Sequence, residues 1–321
     1  MVSSKANPVI ALEEHYWDAE LVAQLSGAEG TRSKDLLAKL HDLGEIRLRE
    51  MDEAGIDIQV LSHGAPSGQK LSPGIAADLT RRVNDRLAEA IARHPTRFAG
   101  FAALPTVVPD AAADELERCV RDLGFKGAMI HGLTNGKFID EKQFWPIFER
   151  AAALNVPIYL HPSFPHPQVM EAYYNDYAKD FPMVIRAAWG YTVEAATQAI
   201  RLILSGVFQA HPNLQIVLGH MGETLPFVLW RINQALSRPG HQTLNFRQTF
   251  CDHFHVTTSG NFSTPALVCT MMELGADRIM FSVDWPFVAN PPAMEWMRTL
   301  QISETDKQKI FGGNARKLLG L

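Results

Sequence analysis

"VIALEEHYWD", residues 9–18, begins as a buried strand and ends in two acids and a histidine. The loop after the first strand of an α/β chain decides between two folds. A doubly wound dinucleotide-binding sheet places Gly-x-Gly-x-x-Gly there, so that the backbone can approach a pyrophosphate. This chain has Glu13-Glu14-His15 instead. Polar groups directly after an apolar run suit a closed barrel, whose functional residues gather at the C-terminal ends of its strands.

The rest of the chain extends that reading. Eight short apolar, β-rich runs recur: residues 9–12, 58–62, 98–104, 126–130, 157–160, 215–219, 255–259 and 279–283. Continuous apolar runs mark parallel strands covered on both faces. Helical patterns such as "AADLTRRVNDRLAEAIARHP" (76–95) and "AAADELERCVRDLG" (111–124) lie between them and close on His94-Pro95 and Gly124. Eight β–α units predict an α/β fold, a (β/α)8 TIM barrel forming one domain over residues 1–321. Two connections are long, 16–57 and 163–213. The first carries the helical segment "SKDLLAKLHDLGEIRLREMDEAG", a small insertion after strand 1, and both are expected to cover the active site.

Composition narrows the function. The chain has 321 residues, 46% hydrophobic and 20% charged, as a soluble enzyme with a large core would. A net charge of −5 argues against nucleic acid or anionic lipid as a partner. No apolar run is long enough to span a membrane or to form a signal peptide. Cys119, Cys251 and Cys269 show no paired spacing and read as buried thiols in a reducing compartment. The expected location is the cytoplasm.

Five of the eight strands end in an acid or imidazole: Glu13 and His15, His131, His161, His220 with Glu223, and Asp284. One such residue is ordinarily a hydrogen-bonded strand cap, but five on one barrel face form a constellation. Glu13 and His15 stand two apart, so both side chains point to the same side of strand 1, while Glu14 faces the helix layer. Glu13, His15, His161 and Asp284 offer two imidazoles and two carboxylates, a set suited to one divalent ion, Zn²⁺ in preference to Mn²⁺. In "GHMGETLPFVLWR", Glu223 is placed to orient His220, and the neighbouring glycines permit a tight turn and close approach. Arg231 lies about three helical turns beyond His220, facing either the pocket as an anion partner or an ion pair at a subunit interface. His131 reads as a substrate contact in preference to a solvent-facing strand end. His253 and His255 begin strand 7, the structural end of the barrel. His63, His94, His166, His211 and His241 fall in loops or before prolines.

The set "ALEEH", "YLHP", "LGHMGE" and "FSVDWPF" resembles the amidohydrolase superfamily, in its branch of metal-dependent aromatic-acid decarboxylases of the γ-resorcylate and 2,3-dihydroxybenzoate type. The likeness runs from about residue 9 to 320. It implies Glu13, His15, His161 and Asp284 as ligands of one divalent ion, His220 and Glu223 as an acid–base relay, and Arg231 as a supporting residue. It also implies Phe287, in "DWPF", as part of an aromatic wall, and a homodimer or homotetramer as the assembly. His131 departs from the asparagine that resorcylate-type enzymes carry at that strand end. The implied reaction is loss of CO2 from a small hydroxybenzoate-type acid. Protonating the ring carbon first avoids an aryl anion, and Asp284 is the expected proton donor. The alternative is a metal-dependent hydrolase of the same superfamily, acting on a lactone, amide or ring C–C bond.

Overall fold

The first strand, β1 (Ile10–Tyr16), is buried at all seven residues, which already requires cover on both faces. The computed structural model describes residues 7–25, 32–240, 242 and 244–321, so His241 lies outside the described residues. β1 pairs in parallel with β2 (Ile58–His63), and β2 with β3 (Phe98–Gly100). After Phe101 the same stave continues as β4 (Ala102–Ala103). It pairs onward in sequence with β5 (Ala128–His131), β6 (Ile158–His161), β7 (Ile216–Leu218), β8 (Phe254–Thr257) and β9 (Ile279–Met280), all parallel.

Backbone bonds between the two runs complete the ring. Phe101 donates its N–H to Leu61 O at 2.9 Å, carrying β2 across the break between β3 and β4. Leu12 donates to Phe281 O at 3.2 Å and bridges Ser282, which brings the last stave back to β1. The result is the eight-staved barrel expected from the sequence, with β3 and β4 as one stave.

Strand alternation sorts the core into two layers. Ile10, Leu12, Ile58, Val60, Phe101, Met129, Tyr159, Val217 and Met280 fill the barrel interior, with Leu319 of the C-terminal helix Asn314–Leu319 packed against them. Ala11, Leu61, Ile130, Leu160, Leu218, Val256 and Phe281 face outwards into the helix layer. That layer includes the helices Pro73–Arg93, Pro109–Arg121, Trp145–Leu154, Gly190–Ser205, Leu225–Leu236 and Thr264–Leu274.

The insertion after β1 forms the short helices Ala19–Val22, Lys34–His41 and Glu45–Ala54. The Asp18 and Ser33 side chains cap the first two by accepting backbone N–H groups. The long connection after β6 runs through short turns over residues 167–185 before the helix Gly190–Ser205. Cys119 is buried as expected, whereas Cys251 and Cys269 are only half-buried; all three are free thiols. No described helix is long and apolar enough to cross a membrane.

Candidate metal centre and active site

β1 does not present Glu13 and His15 by simple alternation. Its register with β2 shifts between Ala11 and Glu14, and Glu13 takes φ +58°, outside strand geometry. This bulge re-aims Glu13 while His15 keeps its place opposite Ser62. Both side chains are fully buried and both reach the same point.

Four ligand-type atoms from Glu13, His15, His161 and Asp284 lie within 4.8 Å of one another. Glu13 Oε1 stands 3.3 Å from His161 Nε2, and His15 Nε2 stands 3.3 Å from Asp284 Oδ1. Three of these atoms, Glu13 Oε1, His15 Nε2 and Asp284 Oδ1, are buried without a hydrogen-bond partner. Buried polar atoms are normally paired. Converging orphaned atoms of this chemistry fit a divalent cation, which would bind two carboxylates and two imidazoles here. The other imidazole nitrogens are anchored: Ser62 Oγ is 3.2 Å from His15 Nδ1, and His161 Nδ1 donates to Pro162 O at 2.6 Å. Such outer contacts fix the ring that a metal would meet.

His220 enters beside this set. Its Nε2 is 3.4 Å from Glu13 Oε1, and its Nδ1 is 2.6 Å from Glu223 Oε1. The turn that brings it there is left-handed, with positive φ at His220, Met221, Gly222, Glu223 and Thr224. Gly219 just before it passes so close to Glu13 that a Cβ would sit 2.7 Å from Oε2. Gly260, at φ +57°, lies between Asp284 and His220, and a Cβ there would be 3.6 Å from both Asp284 Oδ2 and His220 Cδ2. Among the described residues nine non-glycines have positive φ, and Glu13, His220, Glu223 and Asp284 are four of them. Backbone strain of this kind concentrates where function over-determines geometry.

The electrostatics follow from burial and neighbours. Burial would raise the Glu13 carboxyl, but His220, His161 and His15 outweigh it and hold the group down at about 2. Burial lifts Asp284 to about 7, helped by the Glu13 charge and opposed by His220 and His161. Burial alone would lower His220, yet Glu223 and Glu13 push it up to about 10. The site therefore pairs a carboxyl that can hold a proton with an imidazolium that keeps one.

The remaining expected residues divide. Phe287 sets its ring 5.6 Å from that of His15, with the Arg32 guanidinium 5.8 Å above it. His131 is buried, with Nδ1 3.0 Å from His161 Nδ1 and an unpartnered Nε2. Arg231 is not brought to the cluster. It is exposed on the helix Leu225–Leu236 and makes no hydrogen bond or ion pair among the described residues. Counting helical turns from His220 fails because the left-handed turn ends the count at Thr224 and the helix starts afresh at Leu225.

Two residues near the centre escape the sequence reading. His63 is no loop residue; it ends β2, buried, with Nδ1 2.8 Å from Gly64 O. Tyr159 stands two residues before His161 on β6, so its side chain follows the same face, and its hydroxyl donates to Glu13 Oε2 and lies 2.8 Å from Thr257 Oγ1. The pair His253 and His255 is structural as expected: His253 stacks on Phe208, and His255 Nε2 meets Arg278 at 2.9 Å.

The amidohydrolase family model (Amidohydro_2) matches residues 15–321, nearly the whole barrel. The γ-resorcylate decarboxylase of Polaromonas sp. is 41% identical, across 98% of this chain and 99% of its own. The chain belongs to the amidohydrolase family, in its aromatic-acid decarboxylase branch. Solved structures agree with this amidohydrolase over nearly its full length. A 2,6-dihydroxybenzoate decarboxylase complexed with 2,6-dihydroxybenzoate is 40% identical, covers 98% of this chain and 100% of its own, and gives a TM-score of 0.88. The dihydroxybenzoic acid decarboxylase of Polaromonas sp., solved with manganese and the inhibitor 2-nitroresorcinol, is 42% identical over 98% of this chain and 97% of its own, with a TM-score of 0.90.

Proposed function

We propose that this amidohydrolase is a metal-dependent carboxy-lyase that removes CO2 from a hydroxybenzoate-type acid, by protonation of the ring carbon followed by loss of CO2. One observation carries the reading: Asp284 Oδ1 stands 3.3 Å from His15 Nε2 among the four metal-type ligands, while its Oδ2 borders Gly260, which the His220 ring borders too.

Glu13, His15, His161 and Asp284 would hold the ion. When bound there, a divalent cation neutralises carboxylate and phenolate charge and fixes the acid in place. Two carboxylates and two imidazoles accept Zn²⁺ or Mn²⁺. Manganese is the ion named in the Polaromonas enzyme's structure, and we take it as the resident metal here in place of the zinc preferred on ligand types alone.

The chain's own groups supply the proton. Asp284 is the group that delivers it to the ring carbon that bears the carboxylate. His220 keeps a proton through its contact with Glu223 and returns one to Asp284 after each turnover. Phe287, 5.6 Å from the His15 ring, would contact the aromatic ring of the acid. Aromaticity returns as CO2 leaves, so the chemistry calls for no organic cofactor.

The assembly is a homodimer or homotetramer. Phe227 and Trp230 are 82% and 67% exposed, on the same helix as Arg231. Tyr173, Tyr177, Phe181 and Trp189 are also exposed, in the long connection after β6. Apolar rings left in water in such number suit a surface that a second copy covers, and Arg231 then lies at that interface.

The test of function is a screen of hydroxybenzoates with the Mn²⁺-loaded enzyme, in buffer made with deuterium oxide. CO2 release with one deuterium at the vacated carbon supports the reading. Oxygen from water in the product, without CO2, would indicate a hydrolase instead.

A further inference from the structure

Glu14 stands between Glu13 and His15, yet its carboxylate turns away from the pocket into the seam between β1 and the last stave. There Oε1 accepts the Val283 N–H at 2.9 Å and Oε2 accepts the Trp285 N–H at 3.1 Å. These two residues flank Asp284. Ser282 Oγ and Gln59 Nε2 add contacts at 3.4 Å each. The residue between two ligands of one strand thus grips both chain neighbours of a ligand on another.

We propose that Glu14 is a positioning residue that fixes the spacing between the Glu13–His15 half of the metal centre and Asp284. The proposal rests on the reading of these residues as metal ligands. β9 ends at Met280, and Asp284 turns the chain out of strand geometry at φ +76°. A regular ladder therefore cannot continue past Ser282, and two buried N–H groups need acceptors. The Glu14 carboxylate supplies both. One further backbone bond, His15 N–H to Trp285 O at 2.7 Å, spans the same stretch. A slip of this seam would change the 3.3 Å separation of His15 Nε2 and Asp284 Oδ1 directly.

The grip is itself held from behind. Arg47, fully buried, donates to His15 O at 2.6 Å and to Gln59 Oε1 at 3.0 Å, and lies 4.1 Å over the Trp285 ring. Gln59 in turn reaches Glu14. The network links β1, β2, the last stave and the helix Glu45–Ala54, and it keeps Glu14 from turning aside. Either oxygen of Glu14 accepts a hydrogen bond whether or not the carboxyl is protonated, whereas an amide nitrogen cannot.

The experiment titrates Mn²⁺ into the metal-stripped full chain against a chelator of known affinity, for wild type, Glu14→Gln, Glu14→Asp and Asn84→Ala. Asn84 makes buried bonds to Ala103 O and Glu115 Oε1 outside the centre, so its loss lowers stability without touching the seam. Glu14→Gln sets an amide nitrogen against one N–H and should weaken Mn²⁺ binding roughly 10–100-fold, the usual cost of losing a group that orients ligands. Glu14→Asp keeps a carboxyl group on a shorter arm and should fall between, and it carries the test if the glutamine variant does not fold. Asn84→Ala should bind Mn²⁺ as the wild type does, at a lower thermal midpoint. The proposal fails if both Glu14 variants bind Mn²⁺ as tightly as the wild type. It fails equally if Asn84→Ala loses affinity in step with its stability. A wild-type chain that binds no Mn²⁺ overturns the metal centre first, and the positioning role with it.

Discussion

His220 and Glu223 form a 2.6 Å pair through Nδ1 and Oε1, although both have positive φ and neither sits in a regular helix. The left-handed turn after β7 anchors one imidazole nitrogen and leaves the other facing Glu13. If the pair is a relay, Glu223→Gln keeps a hydrogen-bonding group but removes the charge that holds the proton. We expect kcat to fall roughly 10–100-fold, less than the ~10²–10⁴ typical for an acid–base group, because water partly replaces a shuttle. Metal content should stay at the wild-type level, as elemental analysis would show.

Metal dependence has its own test. Dialysis against a chelator should abolish CO2 release, and added Mn²⁺ should restore it. His161→Ala removes one of the four ligands and should yield protein that is folded yet substoichiometric in metal, by elemental analysis and circular dichroism together. A fully active preparation without metal would end this account of the centre.

Stability should respond to pH through Glu194, away from the centre. Burial raises its carboxyl from 4.5 to about 7, against the Gln198 hydrogen bond and the Arg201 charge. The folded chain thus binds this proton more tightly than the unfolded chain does. Its contribution is fully present below about pH 4.5, declines as pH rises towards 7, and is flat above. At about 1.4 kcal/mol per pKa unit the loss is on the order of 3 kcal/mol. Glu194→Gln should remove that slope, so the difference in urea midpoints between variant and wild type should change across this window. A constant difference would show that the group titrates normally.

Assembly is tested by light scattering. The exposed Phe227, Trp230, Tyr173 and Tyr177 lead us to expect a mass of two or four times the 35.7 kDa chain at micromolar concentration. Replacing Phe227 and Trp230 by polar residues should shift it towards the monomer. A wild-type chain already at 35.7 kDa would contradict the interface.

Much of the centre is legible in the sequence because parallel strands deliver their last residues to one barrel face. Apolar runs ending in His161, His131 and Asp284 need only that rule. Counting by two from the inward Ile10 and Leu12 would turn Glu13 outwards; a bulge brings it to the centre, and period-two counting does not see a bulge. Arg231 lies exposed and clear of the cluster because five successive left-handed residues, most of them not glycine, reset the helix after Thr224. Nothing in "HMGET" beyond one glycine marks such a turn. His63 follows the run 58–62 as directly as His131 follows 126–130, so the strand-end rule marks it as well, although the sequence reading set it in a loop. Glu14 is legible as turned away from the pocket, but its partners Val283 and Trp285 are backbone groups, and backbone donors carry no signature in side-chain identity.

The most direct measurement is CO2 release by Asp284→Asn with excess Mn²⁺. Asparagine keeps an oxygen near His15 but carries no transferable proton, and the excess ion offsets its weaker grip on metal. The account predicts that a substrate analogue still binds, while turnover falls by at least the ~10²–10⁴ that losing a general acid costs. Near-normal turnover with metal bound would contradict it and would make His220 the proton donor.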